Sequence, residues 1–419
     1  MRGAALPKSG HPRLTKELLC GGLAVAAFAA CSSPAAAQTA GAPGQQTANG
    51  RLFDLTLSAR ALYDSNVARG TAVAADVRGI SNSDTIYTTD AVLNAAHRIG
   101  PLSGFLQATV GYESYEKNHA LNGGRYGFNG GAIGKLGPCG GSLYDQFSRR
   151  QSDLRDLNLA VTRNTETDNA VGLTIDCSPL AGITAGVTGV LATTRNSTPI
   201  VPDSNSDQFS VFAGYTNTVL GTLNLTGQYQ EISYKNRGPL VALTLPGVTI
   251  YGAGVQYQRP IGARLHGSIG VSYIKADSDA GSAGGFSGTS ANAALTYQPT
   301  SRLQAELNYA RNISATLQLG SSYMVNNAAN LRVRYTLSPR LAVAAGGAWN
   351  HRDYRGAVNP LLFVGVSRDE TKSVFGSVTG KLGRKIDLSL DATYEDRKTD
   401  LPIFDYHGYR VGLSASAHF

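Results

Sequence analysis

His351 and Asp353, in the run Asn350-His351-Arg352-Asp353, are the nearest this sequence comes to a catalytic acid–base pair. A general base works only with a positioned proton partner, and a nucleophilic hydroxyl needs that base within hydrogen-bond reach. His97, His119, His266, His407 and His418 stand singly, without a shared motif. Metal-ligand spacing of the Cys/His type does not occur, nor does a phosphate-cradling glycine loop, because the 49 glycines punctuate turns and alternating runs. These residues predict no catalytic, cofactor-binding or metal site. The chemistry to look for is that of a wall or a rim, and the elements carrying it come first.

Of 419 residues only 16% are charged, with 2 Met and 1 Trp, and helical apolar periodicity is nearly absent after residue 50. A soluble chain of this length would divide into domains that each show a core-facing pattern. The N-terminus has a basic segment (Lys8, Arg13, Lys16), an apolar stretch from Leu18 to Ala30 and then Ala35-Ala36-Ala37. That order predicts a signal peptide over residues 1–37, cleaved after Ala37. A rival processing site places a lipidated residue at Cys31, after Phe28-Ala29-Ala30. Removal of the leader takes the formal charge from +8 to about +5. No basic cluster with interleaved stacking aromatics appears, so nucleic acid is not an expected partner. No later segment reaches the roughly 18 apolar residues of a membrane helix, so any membrane passage must be by strands.

Residues 38–50 read as a flexible periplasmic lead-in, and a repeat of about 40 residues begins near Arg51. Each copy is a tight turn followed by an alternating run that ends in an aromatic. Thr300-Ser301-Arg302-Leu303 leads to Tyr309, Ser338-Pro339-Arg340-Leu341 to Trp349, and Gly383-Arg384-Lys385-Ile386 to Tyr394. Similar turns near Pro101, Pro138, Pro179, Gly221 and Ile261 make eight, separated by longer polar stretches such as 195–206, 235–246, 277–287 and 354–369. Short turns alternating with long loops are the arithmetic of a transmembrane antiparallel up-and-down β-barrel. Eight short turns separate nine hairpins, giving 18 strands over residues 51–419, with both termini periplasmic. A count of 16 follows if Tyr87–Arg98 and Ser142–Arg150 are bulged or misregistered. Their alternation is poor, and Asp145 shares the parity of Leu143 and Phe147.

In the best runs one parity is apolar and the other polar: Leu303, Ala305, Leu307 and Tyr309 alternate with Gln304, Glu306 and Asn308. A sandwich strand alternates too. Two features favour a barrel. Tyr63, Tyr112, Tyr229, Tyr273, Tyr309, Trp349 and Tyr394 close the apolar face of odd-numbered strands at one end, as an interfacial aromatic girdle would. The last alternating run ends on Phe419, a terminal aromatic of the kind that barrel-assembly machinery reads.

A barrel of this size leaves an aqueous lumen, which makes polar-face charges the functional candidates. They are Asp54, Arg60, Glu306, Arg332, Arg334, Asp387, Asp391, Glu395 and Arg410. Closure of first strand on last would bring Arg60 and Arg410 toward Asp387, Asp391 and Glu395. Both signs are present, which fits paired and hydrated wall charges; the alternative is a charged constriction that filters solutes. Cys139 and Cys177 fall at the short-turn rim on neighbouring strands, in an oxidising compartment, and predict a disulfide.

From about residue 51 onward the chain resembles the putative β-barrel porin 2 family. The resemblance rests on Ala61-Leu62-Tyr63-Asp64-Ser65-Asn66-Val67, on the turn-then-strand copies and on Phe419. It implies an outer-membrane barrel, in some members tied to surface polysaccharide, and no settled substrate. Asp64 and Asn66 read as loop-starting Asx residues. The expectation is a passive or weakly selective channel without cofactor, in contact with outer-membrane lipid, lipopolysaccharide and the assembly machinery. A structural barrel serving surface-polymer export proteins is the alternative, and a soluble secreted β-protein is the third reading.

Overall fold

The computed structural model describes residues 52–157, 162–180, 182–235, 247–262, 264–279, 285–316, 321, 323–355 and 366–419. The leader, Cys31 and the lead-in lie outside the described residues.

Eighteen strands alternate with short and long connections. The first six are β1 Phe53–Asp64, β2 Asp84–Ile99, β3 Leu102–Tyr115, β4 Gly123–Leu136, β5 Cys139–Gln151 and β6 Thr165–Leu180. The next six are β7 Ile183–Asn196, β8 Asp203–Asn217, β9 Gly221–Lys235, β10 Val248–Ile261, β11 Leu265–Ser278 and β12 Phe286–Tyr297. The last six are β13 Leu303–Ser314, β14 Tyr323–Ser338, β15 Leu341–Arg355, β16 Arg368–Leu382, β17 Ile386–Thr399 and β18 Tyr406–His418. Each strand pairs antiparallel with its sequence neighbours, and β1 pairs β18 from Thr56 opposite His418 to Asp64 opposite Arg410. The sheet is therefore closed, and no strand edge is left to find a partner in hydrocarbon. Strands of 12 to 16 residues exceed the roughly 9–11 needed to cross a bilayer.

The two faces follow from the period of two. In β1, Leu57, Ala59, Ala61 and Tyr63 are exposed on the outside, while Ser58, Arg60, Leu62 and Asp64 point inward. Tyr63, Tyr112, Tyr229, Tyr273 and Tyr394 are exposed on the outer face toward the long-loop end, with Tyr309 and Trp349 half-buried in the same row. A second outward set, Tyr215, Tyr297, Tyr335 and Phe419, sits at the short-turn end. The sequence reading missed that set because those rings begin or end strands beside turns rather than closing a run.

Two strands correct the expectation of bulges. β2 pairs β3 without a break from Ile86–Tyr115 to Ile99–Leu102, and β5 pairs β4 from Tyr126–Arg149 to Leu136–Cys139. Register shifts occur instead beside short turns, between Thr336 and Ser338 and between Cys177 and Leu180. The parity is real, so Asp145 faces outward between Leu143 and Phe147, where Asn169 Nδ2 donates to it at 3.2 Å.

The buried apolar clusters among the described residues lie at the long-loop end. One joins Val67, Leu121, Leu154, Leu157 and Val201 from four connections, a second joins Met324, Tyr354, Val366 and Phe404, and a third joins Ile232, Val248, Ile250, Ile274, Ala276, Phe286, Ile313, Tyr323 and Val325 of β9 to β14. The β1–β2 connection contains helix α1, Ala72–Arg78, capped by Thr71 and ended by Gly79 in the left-handed region at φ 66°. Buried leucines in connections mean that these loops fold onto one another rather than stand out in water.

Candidate functional site

The barrel offers two places where function could reside: the lumen wall and the mouth, where loops meet it. The β5–β6 connection leaves β5 as Ser152-Asp153-Leu154-Arg155-Asp156-Leu157 and reaches the far wall. Arg155 forms ion pairs with Asp153 of its own loop at 2.7 Å and with Glu395 of β17 at 3.4 Å. Asp156 receives Arg352 of β15 at 2.8 Å. β5 and β15–β17 stand on well-separated parts of the barrel circumference, so the loop crosses lumen space to make these contacts.

Glu395 is the hub. It also receives Arg410 of β18 at 3.1 Å and the hydroxyl of Tyr406. Beside it Arg397 donates to Asp369 at 2.7 Å and to the Arg155 carbonyl at 3.4 Å. Both side chains of the Arg397–Asp369 pair are essentially excluded from solvent, so each charge depends on the other.

The β1–β2 connection is tied in by two arginines. Arg69 grips Asp64 with two bonds of 2.7 and 3.2 Å and adopts φ 52° to do so. That backbone conformation costs of order 1 kcal/mol in a non-glycine residue, which a bidentate charged pair offsets. Arg78 has no carboxylate partner among the described residues. It donates to the Ala68 carbonyl, to Leu154 O at 2.9 Å and to Leu157 O at 2.8 Å, joining the two loops.

The charges on these loops respond to their surroundings. Burial pushes Asp153 up, but the Arg155 and Arg69 guanidiniums outweigh it and hold the carboxyl well below the usual carboxylate range. Burial disfavours the Arg69 charge as well, and Asp64 reverses that, raising its pKa. Arg78 goes the other way: burial, with Arg397 nearby, pushes it down to about 10, so it stays charged at neutral pH.

Of the lumen charges expected from sequence, the structure joins Arg60 to Asp391 at 2.6 Å and Arg410 to Glu395. Asp387 meets His418 at 3.3 Å rather than an arginine. Asp54 accepts from Thr56, and Glu306 accepts from Gln304 at 2.7 Å. Arg332 and Arg334 remain exposed on the inner face of β14, with Arg332 opposite Glu306 in register. Cys139 and Cys177 face each other across β5 and β6 and are joined as a disulfide, on the outward parity at the short-turn end. His351 and Asp353, 3.6 Å apart, lie on the outer rim beside Arg368 and Arg355 rather than in the lumen.

Sequence reasoning missed Arg69, Asp153, Arg155, Asp156, Arg352, Asp369 and Arg397. Asp64 does start an Asx turn, accepting from Asn66 N at 2.9 Å, and serves Arg69 as well. The usable signal was the interleaving of Leu154 and Leu157 with charges, because a loop destined for water does not need leucine.

Comparison with solved structures finds matches of low identity. OccK2 (OpdF) of Pseudomonas aeruginosa is 11% identical, covering 88% of this chain and 98% of that one at a TM-score of 0.46. OccAB3 of Acinetobacter baumannii is 10% identical, with 88% and 99% covered and a TM-score of 0.43. The FrpB iron transporter of Neisseria meningitidis (F3-3 variant) is 10% identical, with 83% and 63% covered and a TM-score of 0.48. No curated protein matches this sequence. The stretch 249–419, which runs from the start of β10 through β18 to the terminal Phe419, matches the family model described as Putative beta-barrel porin 2.

Proposed function

We propose that this protein is a porin-like outer-membrane channel for small solutes, passive or weakly selective, whose mouth is narrowed by its own loops. The observation that carries the reading is a closed 18-strand barrel with a polar inner face, crossed at one end by the β5–β6 connection through Arg155–Glu395 and Arg352–Asp156. A barrel of this strand number encloses water, and an inserted, ion-paired loop sets how much of that water is continuous. No step requires energy coupling or a cofactor.

In this reading the leader directs export and is cleaved after Ala37, leaving both termini and the short turns in the periplasm. The aromatic rows lie at the two interfaces, in contact with outer-membrane lipid and lipopolysaccharide, and Phe419 is read by the assembly machinery. Refolded protein in planar bilayers tests the channel. Stepwise conductance is expected, with small unitary steps for so wide a barrel. Absence of conductance at any voltage, in preparations with heat-modifiable gel mobility, overturns it.

A further inference from the structure

The lumen wall is not uniform, and the asymmetry points to a solute class. From β1 to β6 and from β16 to β18 the inner face carries charges, several of which meet in pairs: Arg60–Asp391, Arg125 with Asp90 and Glu113, and Arg150–Glu166. On β7 to β12 the charges vanish. Every inward position on these six strands is even-numbered, and among the described residues none is Asp, Glu, Lys or Arg. The charged residues of the same strands, such as Asp207, Glu231 and Lys275, all fall on odd positions. At the long-loop end Ile232, Val248, Ile250, Ile274, Ala276 and Phe286 of this face join a buried apolar cluster, and between that cluster and the short turns the wall is lined mainly by amides, hydroxyls and small residues.

That lining is more than wettable. Gln230 donates to Ser206 at 2.9 Å, whereas the amides of Gln208, Gln228 and Gln256 make no hydrogen bond to other described residues. Asn224, only 2% exposed, leaves its Oδ1 without a partner. Several of these side chains lie across a glycine on the neighbouring strand. A Cβ at Gly214 would stand 2.0 Å from Asn224 Oδ1, and one at Gly270 would stand 2.4 Å from Asn292 Oδ1. Replacing either glycine would push the amide off the wall. Between Asn224 and Gln228 in the lattice of strands, Phe212 lies over Gly186 of β7 and adds an apolar ring.

We infer that β7–β12 form a binding track for neutral polyhydroxylated solutes, that is, uncharged sugars and short oligosaccharides. Each side-chain amide offers donors and an acceptor, so a hydroxyl that loses a water can be satisfied in either sense. An aromatic face suits the apolar face of a pyranose ring. An ion gains nothing from an uncharged wall, and elsewhere on the lumen wall Arg60–Asp391, Arg125 with Asp90 and Glu113, and Arg150–Glu166 are already paired, with Arg332 and Arg334 of β14 exposed. The inference rests on the channel reading for its physiological meaning, but the track itself is a binding claim.

The test is equilibrium binding to the full refolded barrel in lipid nanodiscs, using a glucose-oligomer series against gluconate and glucosamine, with single-channel recording in parallel. Neutral oligomers should titrate saturably and block current, and their charged analogues should bind about tenfold more weakly. A Gln228→Leu/Gln256→Leu double variant, checked for heat-modifiable mobility, should lose about tenfold in oligomer affinity while salt conductance is kept. Equal or tighter binding of the charged analogues overturns the inference, as does absence of neutral binding in a conducting wild type. If wild type binds neutral oligomers but never conducts, the channel reading fails and the track stands.

Discussion

Arg78 shows how one side chain can close a mouth without an ion pair. Its guanidinium serves three carbonyls on two loops, and Thr162 Oγ1 donates back to its own carbonyl at 2.9 Å. Arg78→Leu should leave the three carbonyls without their donor, loosening both loops by about 2 kcal/mol. Faster amide exchange over residues 65–83 and 152–157, with unchanged exchange in the strands, is the expected readout. Glu395 behaves differently, because it is a charge among charges. Glu395→Gln leaves Arg155 and Arg410 buried beside a neutral amide, which should weaken the loop-to-wall contact by about 3 kcal/mol. It also adds net positive charge at the narrowing. Reversal potentials in a salt gradient should move toward anion preference, and an unchanged potential would place the conducting path away from Glu395.

The β5–β6 connection is the element whose position decides the width of the mouth, and its pH dependence follows from Asp153. The folded carboxyl titrates well below its ordinary value of 3.8, so its stabilisation is complete above that value and is lost progressively as pH falls below it. Conductance should therefore be steady from neutral pH down to about 4 and rise or become noisy below that as the loop lets go. The same element marks the limit of what was legible in the sequence. Strand count, turn positions and the outward parity of Tyr63 or Leu307 follow from a local period of two, which a sequence displays directly. The contacts Arg155–Glu395 and Arg352–Asp156 join residues 240 and 196 apart, and no local period encodes them. The pairing of Arg60 with Asp391 lay between these cases: closure of first strand on last predicted the neighbourhood, though not the partner.

At the scale of the whole molecule, stability comes from closure, and two features bear on it at separate stages. The Cys139–Cys177 disulfide bridges strands that already pair from Cys139 to Gln151, so it constrains a 38-residue hairpin whose register is set without it. Its contribution of about 3 to 4 kcal/mol acts mainly on the unfolded chain. A Cys139→Ser/Cys177→Ser variant should assemble normally and convert to the unfolded gel band at a lower temperature. In the proposed reading Phe419 serves assembly rather than the finished wall. It lies at the seam, where its amide donates to Leu55 O at 2.9 Å and the Lys385 ammonium sits 5.8 Å from its ring. Its ring faces outward and exposed, so little packing is lost with it. Phe419→Ala should refold in detergent with nearly wild-type thermal conversion, yet accumulate poorly in outer membranes of cells. A variant defective in both settings would show that the residue is needed to close the seam, and one normal in both would remove it as a signal.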